Sequence, residues 1–281
     1  MLGRCLVPAL PWSKGTLAEV VIKEKKMFKL TGNVLPRFSL LFIALSLAAC
    51  GGGGGSSGSE PKAQTPYLKP GVFDIGRVFS DGSTAEGISI LSPTGKFVAT
   101  LASGSFTFST LTFSGSGEFS GPIVEYLLGD SWSRTNGTLS GEVLSSKRAN
   151  LSASRADFAS NGALLRKDNP SDLGVTLEEI SATYTPIDSN SSITIASDGV
   201  VDGSDQTGCA FRGDVDIPDE TINVFELTYE ASNCGPLSAE GATENDRNGK
   251  FTGLGTYDPS GGELLFFARN GTVAWMFKGK R

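Results

Sequence analysis

The chain of 281 residues contains no histidine. This absence excludes Ser-His and Cys-His nucleophile arrangements and zinc or iron sites with histidine ligands, which together make up most of the common catalytic centres. Cysteine and tryptophan are also scarce, with four and three residues. The sequence therefore indicates no reaction type, cofactor or metal site, and we expect the protein not to be an enzyme.

Basic residues are few after Cys50. Seven of the 24 Lys and Arg residues and two of the 30 Asp and Glu residues precede it, which leaves 17 bases and 28 acids, a net charge of −11. A chain this acidic lacks the positive surface that binding to a phosphate backbone requires. We therefore expect no nucleic-acid partner.

Long hydrophobic runs are absent as well. The apolar run at residues 38–49 is shorter than the roughly 20 residues that a transmembrane helix needs. It follows Lys29 and Arg37, and this order of charge and apolar core is typical of a secretory signal peptide. We predict that residues 1–49 form the signal peptide region and that translation starts at Met27.

The segment Leu47-Ala48-Ala49-Cys50 ends this region and resembles the lipobox of bacterial lipoproteins. The resemblance implies that the thiol of Cys50 is diacylated, that the chain is cut before Cys50 and that the new amine is acylated. Membrane lipid is then a partner through Cys50. In such lipoproteins an Asp in the next position favours the inner membrane, so Gly51 implies the outer membrane. The alternative is an unmodified cysteine buried in an ordinary hydrophobic stretch.

Residues 51–70 contain few apolar side chains and cannot offset the entropy cost of ordering. Together with the lipidated cysteine, they are predicted to form a flexible tether with a reach of roughly 65 Å at about 3.3 Å per residue. The run Gly51 to Gly55 is similar to the leader of surface-displayed lipoproteins such as the transferrin-binding family. That similarity implies display on the cell surface, and an orientation toward the periplasm stays open.

After residue 70, apolar and polar residues alternate with a period of two, as in half-buried strands. The clearest strand runs from Cys209 to Ile217, and Asn223 to Ala231 repeats its alternation. A helix is expected only at Ser152 to Leu165. We predict an all-β protein, an antiparallel β-barrel or a strongly twisted sandwich, because closure removes exposed sheet edges. Asn-Gly and Asp-Gly dipeptides predict hairpin turns at Asn136, Asn161, Asn248, Asn270, Asp81, Asp198 and Asp202.

Two hairpins of similar sequence suggest two related β units. The first runs from Gly95 to Phe106 and the second from Gly262 to Val273, with glycines nine residues apart in both. We place the units at residues 71–168 and 169–281. The alternative is that glycine-rich hairpins resemble each other without common ancestry.

Four cysteines leave one candidate disulfide. Cys5 precedes the predicted start and Cys50 is acylated, so Cys209 and Cys234 remain. In an oxidising compartment two such thiols predict a disulfide. Closing a loop of about 25 residues would contribute roughly 3.5 kcal/mol in the chain-entropy model. The alternative is two unpaired buried thiols.

The C-terminal part, from Ser197 onward, carries a further resemblance. The segments Gly208 to Gly213, Asn223 to Leu227 and Asn233 to Gly235 are similar to a family of proteobacterial lipoproteins that pair two cysteines around such a strand. The function of that family is unassigned. The resemblance therefore implies the disulfide and an extracytoplasmic location, and no activity.

Two kinds of residue are candidates for a site. Asp214 and Asp216 project from one strand face, roughly 6 to 7 Å apart, a spacing suited to two-carboxylate hydrolysis or calcium binding. The alternative is a solvated strand face. Trp132 lies between two serines and is either an exposed anchor for a partner or a buried ring.

Five phenylalanines offer a third possibility, a barrel interior that receives an apolar ligand, with simple core packing as the alternative. They are Phe97, Phe106, Phe108, Phe113 and Phe119.

On balance we expect a non-enzymatic, outer-membrane-anchored lipoprotein that acts as a binding or envelope-structural module. Its partner would be an unidentified envelope or extracellular protein or ligand. The alternatives are a carboxylate-dependent envelope hydrolase and an apolar-ligand carrier.

Overall fold

The computed structural model describes residues 67–129, 131–156, 158–186, 191–236 and 242–281. This described part is almost all β, and its strands form one closed antiparallel barrel and a second, nearly closed one. The predicted fold class is confirmed, with barrels rather than a sandwich. The predicted signal peptide region, Cys50 and residues 51–66 lie outside the described residues.

The first barrel, barrel 1, is an antiparallel meander that closes where its first strand pairs with its last. A two-residue strand, β5, is bypassed by direct pairing of β4 with β6. The strands are β1 (Gly71–Phe79), β2 (Thr84–Leu91), β3 (Lys96–Leu101), β4 (Ser105–Thr110), β5 (Thr112–Phe113), β6 (Glu118–Leu128), β7 (Trp132–Ser145), β8 (Arg148–Arg155) and β9 (Phe158–Arg166).

The second barrel, barrel 2, is a meander of eight strands. Its first and last strands meet at a bridge between Thr185 and Lys280, whose backbone N–H groups each donate to the other's carbonyl at 2.9 and 3.0 Å. The strands are β10 (Ala182–Tyr184), β11 (Ser192–Ile195), β12 (Val200–Ser204), β13 (Ala210–Asp216), β14 (Phe225–Ser232), β15 (Gly249–Asp258), β16 (Glu263–Arg269) and β17 (Ala274–Lys280).

Each barrel is filled by its own side chains, because alternate residues of every strand point inward. In β13, Phe211 and Val215 are buried whereas Arg212 and Asp214 are exposed, as the sequence pattern predicts. Fully burying a side chain of this size contributes about 1.5 to 3 kcal/mol. The interior side chains that are less than 2% exposed include Phe73, Phe97 and Leu164 in barrel 1 and Tyr184, Phe225, Phe266 and Phe277 in barrel 2.

The two barrels pack against each other through their outer faces. The contact is apolar and contains Ile90, Val98, Phe108 and Tyr126 of barrel 1 with Val224, Leu254, Phe267 and Ala274 of barrel 2. The hydroxyl of Tyr126 donates to the backbone carbonyl of Asn270 at 2.6 Å. Since one face of these strands fills a barrel and the other fills the junction, both faces are buried.

A carboxylate fixes the rim of this junction. Glu226 projects from the outer face of β14 and accepts hydrogen bonds from Ser92 and Thr94 in the β2–β3 turn and from Lys96 at the start of β3. Burial by itself would raise the pKa of Glu226, but these three donors outweigh it and hold the pKa below its ordinary value. The carboxylate therefore stays ionised and ties barrel 2 to barrel 1.

In the described part of the chain, three short helices connect the strands: α1 (Asp168–Ser171), α2 (Leu177–Ile180) and α3 (Glu244–Arg247). A capping box of Thr176 and Glu179 starts α2. The helix expected at Ser152 to Leu165 is wrong, since this segment forms the β8–β9 hairpin. In this segment apolar residues alternate with Ser152 and Ser154. The pairing of the segment with β7 and β1 outweighs the helix propensity of its residues. Among the described residues, no helix has the length and hydrophobicity to span a membrane.

Three of the expected turns are also wrong. Asn136, Asn161 and Asp202 lie inside β7, β9 and β12. The glycine after each residue leaves room for the neighbouring strand and does not form a turn. A Cβ added at Gly137 would lie 2.3 Å from the carbonyl oxygen of Ser154 on the next strand. The four other dipeptides do lie between elements or at their ends.

The chain is fixed to barrel 1 from Leu68 onward. Leu68 is 1% exposed and belongs to the barrel 1 core. The side chain of Arg166 donates to the carbonyl of Pro70 at 2.8 Å, and Lys69 pairs with Asp172 at 2.8 Å. The last residues assigned to the tether from sequence therefore belong to the folded part.

Candidate functional site

The disulfide between Cys209 and Cys234 is present. Cys209 immediately precedes β13 and Cys234 follows β14, and the pairing of Ala210 with Ser232 brings the two cysteines together. The prediction of this disulfide from sequence is confirmed. It joins two neighbouring strands at one end of barrel 2.

An ion pair lies beside the disulfide. Arg247 of α3 donates to the carboxylate of Asp205 and to the carbonyl of Gly235, which follows Cys234. Burial would raise the pKa of Asp205, but hydrogen bonds from Thr207 and Arg247 outweigh it and keep the pKa below its ordinary value. This end of barrel 2 is thus held by a covalent and an ionic link.

Asp214 and Asp216 both point outward from β13 and are exposed. Asp214 lies opposite Thr228, and Asp216 lies opposite Glu226, which is turned into the junction. Among the described residues neither aspartate has a hydrogen bond or an ion pair, and no group of three or more metal-ligating side chains is found there. This geometry fits the solvated-face interpretation of the two aspartates.

Trp132 is the first residue of β7 and is half-buried. Its ring lies 6.1 Å from that of Phe106, and it packs against both the barrel 2 core and the junction. The indole is therefore part of the contact between the barrels and stays partly accessible to solvent.

The five phenylalanines do not share one cavity. Phe97 and Phe119 fill barrel 1, whereas Phe106 and Phe108 lie on its outer face in the junction. Phe113 is 36% exposed, and its ring lies 5.5 Å from that of Phe119 in a tilted arrangement. The structure separates residues that the sequence places in one short stretch.

An ion cluster inside barrel 1 is not indicated by the sequence pattern. Arg77 points inward, is 4% exposed and donates to Glu125 at 3.2 Å and to Ser160 at 2.7 Å. Arg155 donates to the other oxygen of Glu125 at 2.7 Å, and its guanidinium lies 4.6 Å from the ring of Phe158. Since these charges bind one another inside the barrel mouth, they serve the packing of this end.

A shallow groove of about 1030 Å³ crosses the outer face of β6, β7, β8 and β9. Strand register places four small polar residues in a row across it: Ser120 pairs with Ser140, Ser140 with Ser152, and Ser152 with Asn161. All four are exposed. Adjacent strands lie about 4.8 Å apart, so the row extends about 14 Å.

A second row lies beside the first. Glu118 is directly opposite Glu142, which is opposite Asn150. Like charges in this arrangement are unfavourable, and neither carboxylate has a salt bridge among the described residues. We refer to the two rows together as the polar groove. Its lining residues include two carboxylates and no Lys or Arg.

Much of the hydrogen-bonding capacity of the polar groove is unused. Ser152 donates to the side-chain oxygen of Asn161 at 2.9 Å. The side chains of Ser120, Ser140 and Asn150 have no hydrogen-bond partner within the described ranges. Hydroxyl and amide groups both donate and accept, so the polar groove presents an array of open donors and acceptors.

No protein-family model and no curated protein sequence matches the chain. Among solved structures, the chain is similar to Aeromonas veronii immune modulator A, at 12% identity and a TM-score of 0.40, over 78% of this chain and 97% of that chain. A likeness of this degree carries no argument about function.

Proposed function

We propose that the protein is an outer-membrane lipoprotein, anchored through acylated Cys50, that acts as a non-enzymatic binding or envelope-structural module. The polar groove is the main observation in support of the binding role. It holds open hydrogen-bonding groups on a closed barrel, which keeps their positions rigid. Preorganised groups lose less entropy when a ligand binds.

The filled interiors support binding on the outside of the molecule. Phe97 and Phe119 occupy the interior of barrel 1, and Phe225 and Phe266 occupy that of barrel 2. An apolar ligand inside either barrel would have to displace such side chains. The outer faces that do not take part in the junction need no rearrangement to receive a partner.

The position of Leu68 supports the anchoring role. Because this residue is locked into barrel 1, residues 51–66 separate Cys50 from the folded part, and their maximum reach is roughly 50 Å at about 3.3 Å per residue. Three acyl chains contribute about 0.8 kcal/mol per buried methylene, which makes release from the bilayer negligible. Barrel 1 would then remain close to the membrane surface.

The disulfide supports an extracytoplasmic location. Disulfides form and persist in oxidising compartments such as the periplasm and the cell surface. The pair Cys209 and Cys234 is consistent with either compartment, and the orientation of the anchored protein is part of the test below.

Membrane fractionation of bacteria that express the full chain tests this proposal. The wild-type protein should be found in the outer-membrane fraction and incorporate labelled palmitate, whereas Cys50→Ser should incorporate none. Cys5→Ser is the matched control and should behave as the wild type, because Cys5 precedes the predicted start at Met27. Protease treatment of intact cells separates surface from periplasmic exposure. Labelled palmitate in Cys50→Ser, or wild-type protein in the cytoplasmic fraction, would overturn the proposal.

A further inference from the structure

The polar groove has a repeat along its length. Ser120, Ser140, Ser152 and Asn161 each come from a different strand, so the row advances by one polar side chain per strand. The distance between strands is about 4.8 Å. An extended chain of pyranose rings advances by a comparable length per ring. A chain that runs perpendicular to the strands would therefore meet one side chain of the row at each ring.

The chemistry of the row fits sugar hydroxyls. Each sugar hydroxyl donates and accepts a hydrogen bond, and serine and asparagine side chains do the same. Glu118 and Glu142, in the second row, can accept hydrogen bonds from hydroxyl groups, and such charge-assisted bonds are the stronger kind. The open side chains of Ser120, Ser140 and Asn150 supply further partners.

The charge of the polar groove restricts the class of polysaccharide. Glu118 and Glu142 face each other across β6 and β7, and the lining contains no cationic side chain. A chain with uronate, sulfate or phosphate groups would add negative charge beside these carboxylates. An uncharged chain avoids this repulsion.

The shape of the polar groove points to a chain rather than to a small metabolite. Sites for small molecules are concave, enclosed and mostly apolar. The polar groove is shallow and open to solvent, and its lining consists mainly of exposed Ser, Asn and Glu side chains, with the buried Phe119 and Leu151 beneath them. Such a surface buries little of any one sugar, and a chain compensates by repeating the same contact on successive strands.

We propose that the polar groove binds a neutral polysaccharide chain that lies across β6, β7, β8 and β9. This inference rests on the proposed binding function and names its ligand class. Ser120, Ser140, Ser152 and Asn161 contact successive rings, while Glu118 and Glu142 select against anionic chains.

Affinity electrophoresis of the full chain in detergent tests the inference. Native gels contain hydroxyethyl cellulose, glucomannan, xylan or dextran as neutral probes, and polygalacturonate as the anionic probe. At least one neutral polysaccharide should retard the protein, whereas polygalacturonate should not. Retardation by none of the neutral probes, or stronger retardation by polygalacturonate, would overturn the inference.

A matched pair of double variants locates the binding. Ser140→Val with Ser152→Val removes two neighbouring hydroxyls of the row, and binding should weaken about tenfold, as expected for one to two hydrogen bonds. Thr138→Val with Ser154→Val changes the adjacent cross-strand pair on the same outer face, outside the groove lining. It should leave binding unchanged. Equal effects of the two variants would contradict the assignment.

Other occupants are distinguished in the same experiments. Calorimetric titration with calcium chloride should give no binding, and binding of calcium without any polysaccharide would assign the carboxylates to a cation instead. If palmitate labelling succeeds and the gels show no retardation, the ligand class fails while the lipoprotein proposal stands. If the gels show retardation and labelling fails, the anchoring proposal fails alone.

Discussion

The hydroxyl of Tyr229 accepts a hydrogen bond from the indole nitrogen of Trp275 at 2.6 Å inside barrel 2. Tyr229 is 3% exposed, and burial raises the pKa of its hydroxyl well above the ordinary value. Burial therefore favours the neutral phenol. It serves as a fixed acceptor among the rings of Phe211, Phe251 and Trp275.

Removal of this hydroxyl should destabilise barrel 2. Tyr229→Phe leaves the indole N–H of Trp275 without its partner, and we expect a loss of about 1 to 3 kcal/mol in the free energy of unfolding. Tyr257→Phe is the matched control, because the hydroxyl of Tyr257 is buried and lacks a hydrogen-bond partner among the described residues. It should be neutral or slightly stabilising. Urea denaturation measures both, and an equal loss in the two variants would contradict this account.

The Glu226 contact should make stability depend on pH. The pKa of Glu226 in the folded protein lies below its ordinary value of 4.5. Its contribution is therefore fully present above that value and is lost as the pH falls toward the folded pKa. Glu226→Gln should lower stability at neutral pH by about 1 to 3 kcal/mol and flatten the acid limb of the stability profile.

Glu230→Gln is the control for this pH dependence. Glu230 lies on the same outer face of β14 but is exposed. Denaturant midpoints measured between neutral and acid pH should coincide for this variant and the wild type. A Glu226→Gln profile parallel to that of the wild type would show that the carboxylate does not carry the effect.

The disulfide should stabilise barrel 2 through the unfolded chain. Cys209→Ser with Cys234→Ser should lower the free energy of unfolding by roughly 3.5 kcal/mol in the chain-entropy model. A reducing agent should lower the thermal midpoint of the wild-type protein and leave that of the double variant unchanged. The same response to reduction in both proteins would assign the effect to something other than this bond.

Glycine at position 141 is required by close packing. A Cβ there would lie 2.2 Å from the carbonyl oxygen of Asn150 and 2.3 Å from the ring of Phe119. Gly141→Ala should therefore cost about 1 to 3 kcal/mol. Gly76→Ala on β1 meets no atom within 4 Å and should be neutral or slightly stabilising. Thermal unfolding compares the two, and equal midpoints would be contrary to the packing described.

The sequence predicts strands well where one face is buried and the other is wet. This holds for Phe211 and Val215 in β13, whose neighbours are exposed. At β3 the expected strand is present, but the alternation is not: Phe97, Val98 and Ala99 are all buried, because the outer face of this strand meets barrel 2. Local alternation carries no information about such contacts between distant segments.

The candidate site was harder to predict than the fold. The serines of the polar groove are visible in the sequence only as polar positions, because the row of Ser120, Ser140 and Ser152 exists only once the register of β6, β7 and β8 is set. The same holds for Arg77 and Glu125, which lie 48 residues apart in the chain.

The two hairpins of similar sequence, Gly95 to Phe106 and Gly262 to Val273, do not occupy equivalent positions. The first belongs to the third and fourth strands of barrel 1, and the second belongs to the last two strands of barrel 2.

The intact mass of the mature protein, purified from bacteria that express the full chain, tests the central claim most directly. The account predicts a chain that begins at Cys50, carries the mass of a diacylglyceryl group and one further acyl group, and lacks two hydrogens because Cys209 and Cys234 are joined. A mass that retains residues 27–49 and includes no acyl group would contradict it.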